Sequence, residues 1–151
     1  MIYNLQAEVR NSTAKYRIDN LFVESLAKKA LKKVCRNAGV FSLEILFVGD
    51  KDMRKLNKRF KGRGGTTDVL SFGLGNVGSI AISLDTAARN AKTFGAPFHE
   101  EVLRYVIHGI LHLFGYNDDT KASRLKMAAK EDVMLRSLCA NTKLSKVLMR
   151  P

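Results

Sequence analysis

Two histidines, His108 and His112, stand four residues apart in a run that is otherwise almost wholly apolar: Val106, Ile107, Ile110, Leu111, Leu113 and Phe114. A helix so apolar on most sides must lie inside the fold. Residues four apart project from one helix face, one turn above the other. Two imidazoles so placed can bind one transition metal together. Equally, they can be core side chains satisfied by hydrogen bonds, because buried polar groups need partners. The chain has three histidines, and two of them fall here. Gly115 tolerates the left-handed backbone that ends a helix, and Tyr116 and Asn117 carry the chain round a turn. Asp118 can then fold back as a third donor. Two His and one carboxylate leave a coordination position open, as catalytic centres do. The residue after His108 is Gly109, where helical zinc peptidases carry a Glu general base. That argues against such a peptidase; the glycine instead permits close approach of another backbone or of a substrate.

Charge narrows the class of partner. The 151 residues carry 26 Lys and Arg against 14 Asp and Glu, a net charge of +12. Such a field attracts polyanions, nucleic acid first. No apolar run approaches the roughly 20 residues that cross a bilayer, and the first residues lack the pattern of a signal peptide, so a cytoplasmic protein is expected. The length suits one domain spanning residues 1–151. Cys35 and Cys139 are too few for a disulfide framework and read as reduced, buried small residues.

In chain order, residues 2–9 read as a strand. A helix follows, capped by Asp19 or Asn20 and running to about Asn37, with Phe22, Leu26, Ala30 and Val34 as its apolar stripe and Lys28, Lys29, Lys32, Lys33 and Arg36 as a basic surface. Residues 41–49 form a strand, and Asp50 caps a short helix to Phe60. Lys61-Gly62-Arg63-Gly64-Gly65 is a flexible basic loop that lets a phosphate approach closely, without the ending of a P-loop. Strands follow at 66–72 and 79–84, with Gly73, Gly75 and Gly78 loosening the turn between them. Asp85 caps a helix to Phe94, and a long helix from about Phe98 to Phe114 carries the histidines. Glu101, seven residues before His108, shares its face and could orient a ligand or relay a proton, although a first-turn Glu is more often exposed. A last helix spans about Lys121 to Cys139, and residues 140–151 read as a frayed basic tail.

His108-Gly-x-Leu-His112-Leu-x-Gly-Tyr resembles the signature of the YbeY family, bacterial endoribonucleases that act as rRNA maturation factors. Leu56-Asn57, Lys61-Gly62 and Thr67-Asp68-Val69-Leu70-Ser71-Phe72 are similar to that family's loop and strand. Gly78-x-Ile80-x-Ile82-Ser83 and Met127-x-x-x-Glu131 match two further elements, in family order, over about residues 40–135. The resemblance implies an α+β fold, a small mixed sheet of about four strands packed by about five helices. It implies one divalent transition metal, zinc by preference, held by three side chains on a central helix and the following turn. It implies a metal-dependent hydrolase, an endoribonuclease cleaving single-stranded RNA in 16S rRNA 3′-end processing. The partners it implies are rRNA and the small ribosomal subunit, with neither DNA nor a membrane.

The chain departs from the family at four places. The usual third ligand is His, at the position of Asp118; a carboxylate also binds zinc, and a harder oxygen shifts affinity and metal choice. His99 is a lesser substitute, about 2.5 turns before His108. The usual arginine is Lys61, which loses bidentate phosphate recognition, and Arg63 can compensate. The usual proline is Thr66, and the usual acidic residue after Gly78 is Ser79. Lys61 and Arg63 are thus the expected phosphate-holding and catalytic cations, with Glu101 and Asp119 as candidate bases. Thr67, Asp68 and Ser71 would orient backbone or ribose, or else cap the strand. Two other readings stay open: a non-catalytic RNA-binding ribosome-assembly factor with a structural metal, and a metal hydrolase of a small substrate.

Overall fold

The computed structural model describes residues 4–35, 39–140 and 143–148. The architecture is α+β. Strand β1 (Asn4–Asn11) leads into helix α1 (Asn20–Val34), then β2 (Val40–Val48) and α2 (Asp50–Lys61). The β3 (Val69–Leu74) and β4 (Val77–Ser83) hairpin follows, then α3 (Leu84–Phe94), α4 (Phe98–Leu113) and α5 (Lys121–Cys139). The four strands lie in the order β1-β2-β4-β3. β1, β2 and β4 run parallel, and β3 pairs antiparallel to β4 at one edge. Helical crossovers produce the parallel pairs; a two-residue turn at Gly75-Asn76 produces the hairpin. Gly75 has φ 60°, as a hairpin turn opening on glycine requires. Gly73 and Gly78 are strand residues instead. A Cβ on either would stand 3.0 or 2.7 Å from the Leu113 side chain, so they admit α4 rather than loosen a turn.

Alternation along the strands divides the interior into two layers. Phe41, Leu43, Ile45 and Phe47 of β2 face one way, into a core shared with α1, α4 and α5. Val48 and Leu46 face the other way, beneath α2, where Met53 meets Leu70 and Ala81. The most buried helix is α4, with Val102, Leu103, Val106, Ile107, Ile110 and Leu111 all 2% exposed or less. Its glycine decides how closely it lies on the sheet. A Cβ at Gly109 would come within 2.8 Å of the Ile80 side chain, so a β4 side chain, rather than a backbone or substrate, fills that space. Gly109→Val is expected to cost about 3 kcal/mol through overpacking, read by urea denaturation. Ile80→Ala in the same chain should recover part of the loss, and strict additivity would contradict the contact.

Several boundaries and caps differ from expectation. The strand expected at 66–72 begins at Val69, because Thr67 and Asp68 belong to the turn before it. The stripe of α1 is rotated by one residue, burying Val23, Ala27 and Leu31 beside Leu26 and Ala30. Asp19 caps that helix, accepting from the Phe22 amide. Neither Asp50 nor Asp85 caps its own helix. Gly49 and Ser83 hold those positions, and Asp85 reaches across to accept from the Asp50 amide at 2.9 Å and from the Tyr16 hydroxyl at 2.8 Å. Asp50 accepts from Ser83 and Arg89. The Arg89 hydrogen bonds hold its carboxyl down, from an ordinary 3.8 to about 2. A depressed carboxyl stabilises the fold above pH about 4 and loses that contribution as pH falls toward 2. Discounted for the half-exposed Arg89, it is worth about 1 kcal/mol, so Asp50→Asn should flatten stability over that interval in acid titrations followed by circular dichroism.

The expected frayed tail is corrected over residues 143–148. Leu144–Val147 form a 3-10 turn that buries both named residues, the Val147 carbonyl accepts from the Asp19 amide, and Leu148 bridges to Ile18. Cys35 is half-buried and Cys139 exposed, both free, rather than buried. The expected element ends at residues 2–3 and 36–37, and the tail at 141–142 and 149–151, lie outside the described residues.

Candidate metal centre

The centre is built by α4, the turn after it and one residue of α5. The last turn of α4 closes with the Gly115 amide donating to His112 and the Tyr116 amide to Leu111, Gly115 having φ 95°. Thr120 and Ser123 then form a capping box that starts α5. Between those two anchors the chain turns back and delivers Asp118 to the histidine face. Nε2 of His108 lies 3.0 Å from Nε2 of His112, and Oδ2 of Asp118 lies 3.6 Å from each. Donors about 2.0–2.1 Å from a tetrahedral ion stand roughly 3.3 Å apart, so this triangle has the size of one face of such a shell. His108, His112 and Asp118 could therefore hold a metal ion.

A fourth residue fixes the tautomer. Glu131 on α5 is 6% exposed, and its Oε1 lies 2.5 Å from Nδ1 of His108. With the Nδ1 proton donated there, the His108 Nε2 lone pair points at the other two donors. This carboxylate–imidazole relation orients metal-binding histidines generally. Arg104 holds the other carboxylate oxygen, at 3.7 Å, and pairs with Asp132 at 2.8 Å. Burial pushes the His108 pKa down, but the hydrogen bond and charge of Glu131, with Asp68 and Asp118, more than offset it, and the net shift is upward. The local field thus favours positive charge at the site, which is also what a bound cation supplies.

Comparison with known proteins assigns the family. The family model described as Endoribonuclease YbeY matches residues 8–139. The chain belongs to the YbeY endoribonuclease family. An Endoribonuclease YbeY of Chlorobaculum parvum is 37% identical over 82% of this chain and 89% of its own length. That of Chlorobaculum tepidum is 37% identical over 84% and 94%. The solution structure of a Thermotoga maritima protein superposes with a TM-score of 0.61 at 25% identity, covering 93% of this chain and 90% of that one.

The remaining candidate residues are placed in different ways. Lys61 and Arg63 are exposed at the end of α2 and just beyond it. Their loop is less free than its glycines suggest. Asn57, 5% exposed, donates through Nδ2 to the Gly65 carbonyl at 2.8 Å and accepts from the Arg63 amide on its own carbonyl. Ser71 donates to the Gly109 carbonyl at 3.3 Å, tying β3 to the histidine helix. Asp68 accepts from the Val69 amide, and its charge helps to raise the His108 pKa. Thr67, half-buried, bonds the Asp68 carboxylate at 3.4 Å. Glu101 is buried rather than an exposed first-turn acid. Burial pushes its carboxyl up against an opposing hydrogen bond from Tyr105. Asp119 is exposed. His99 lines a separate depression with Arg104, Leu135 and Cys139, away from the donor triangle.

Asn57 and Glu131 are the residues that sequence reasoning left without roles, though both stood in recognised motifs. The available signal was an acid on an apolar helix face: Glu131 shares its side of α5 with Met127, Met134, Leu135 and Leu138.

Proposed function

We propose that this chain is a metal-dependent, single-strand-specific endoribonuclease that acts in 16S rRNA 3′-end processing on the small ribosomal subunit in the cytoplasm. The observation that carries this reading is the open triangle of His108, His112 and Asp118 with Glu131 behind it, in a family named for endoribonuclease activity. A divalent ion there, zinc by its donor set, would supply Lewis-acid chemistry at a phosphate. The protein's own groups do the rest. Glu131 keeps the His108 proton on Nδ1 and Nε2 free. Lys61 and Arg63 neutralise the substrate phosphate and the charge that develops on it. Glu101, its carboxyl held up by burial, is the candidate proton relay; Ser71 holds β3 against α4 and Asp68 fixes the turn before β3, where ribose would lie. Among the described residues, no helix is long and apolar enough to cross a membrane. The deciding experiment is turnover of a single-stranded RNA as metal is removed and restored. Metal-dependent cleavage supports the reading, and RNA binding without turnover under any metal would leave a non-catalytic assembly factor.

A further inference from the structure

We propose that the groove between α2 and the outer face of the sheet is a stacking subsite for one unpaired base of single-stranded RNA; this rests on the nuclease reading and adds a place where substrate is held. α2 covers that face only in part. Past Met53 it leaves a depression of about 350 Å³ lined by Leu46, Leu56, Phe60, Phe72 and Ala81, with Glu44 at its margin. Phe60 is 52% exposed on a helix whose other outward residues are charged or polar. Its ring stands 4.8 Å from that of Phe72, tilted 53°. Packing alone does not require an aromatic so placed.

The rim of the groove says what it fits. The Arg59 guanidinium lies 5.5 Å from the Phe60 ring, and the Lys61 ammonium lies 5.8 Å from the Phe72 ring. Lys58 and Arg63 add two more exposed cations, and among the described residues none of the four is in an ion pair. Aromatic faces flanked by free cations bind single-stranded nucleic acid, bases stacking while cations hold phosphates. Glu44 offers an acceptor to the amino group of adenine, cytosine or guanine. The position also suits a substrate strand. β3 is an edge strand, with Ser71 turned to the histidine helix and Phe72 to the groove. An RNA crossing that edge connects the two sites.

The chain has no tryptophan, so Phe60→Trp places a single fluorescent reporter in the groove. The test titrates the full-length protein with a short single-stranded RNA carrying 2-aminopurine, checking RNA integrity afterwards. The parent should bind and quench the 2-aminopurine. Phe60→Leu, which keeps an apolar cover, should bind about tenfold more weakly and lose the quench. Its salt dependence should be unchanged, since no phosphate contact is lost. Phe60→Trp should keep affinity, its fluorescence falling with single-stranded but far less with duplex RNA. If the parent binds RNA while Phe60→Leu binds and quenches equally and the tryptophan is blind to RNA, the proposal is overturned and the groove is left to a protein partner. If the parent binds no RNA, the nuclease reading falls and takes this with it.

Discussion

Replacing both histidines, His108→Ala with His112→Ala, is expected to reduce cleavage of single-stranded RNA at least about 10³-fold, the several kcal/mol that a Lewis acid contributes at a phosphate. RNA affinity should stay within about threefold, because binding to the backbone depends on cations and the substitutions leave every Lys and Arg of the chain in place. The fold should survive. The two side chains are 23% and 29% exposed, and Glu131 keeps Arg104 as a partner. Turnover followed on gels, beside affinity by fluorescence anisotropy, separates the two quantities. Parent-level cleavage by the double variant, free of contaminating nuclease, would remove the metal centre from the mechanism.

Glu131→Gln is the second large effect. The amide can still accept from Nδ1 of His108 but carries no charge, so the imidazole becomes a poorer donor and its tautomer is less firmly held. Metal affinity is expected to fall about 10–100-fold, measured by competition with a chromophoric chelator. Activity at saturating metal should fall much less. Unchanged affinity would mean that Glu131 serves packing alone, through its pair with Arg104.

Why Glu131 escaped assignment while the histidine pair did not is a matter of range. His108 and His112 face the same way because of helix periodicity, which needs no tertiary information, and Gly115 announces the turn that returns Asp118. Glu131 meets His108 only because α5 packs on α4, and no local pattern states that contact. The aspartates show the same limit. Asp50 and Asp85 each stand where a helix begins, and a first-turn aspartate looks in sequence like a cap. Only the packing of α2 beside α3 reveals that Asp85 serves the end of the other helix. The parallel strands were legible as separate apolar runs, whereas their order, with β4 inserted between β2 and β3, follows from the crossovers. Leu144 and Val147 form too short an apolar pair, in too basic a segment, to announce that they close the core.

The central claim is that three side chains hold an ion, and metal content by mass spectrometry tests it most directly. The purified parent should carry about one equivalent of a divalent transition metal, as a single site of this type does. Asp118→Ala, which removes one of three donors and leaves both imidazoles and Glu131 in place, should lose the metal or hold it far more weakly. No metal in either protein, even after incubation with zinc, nickel or manganese, would make the histidine pair a structural feature and contradict the account.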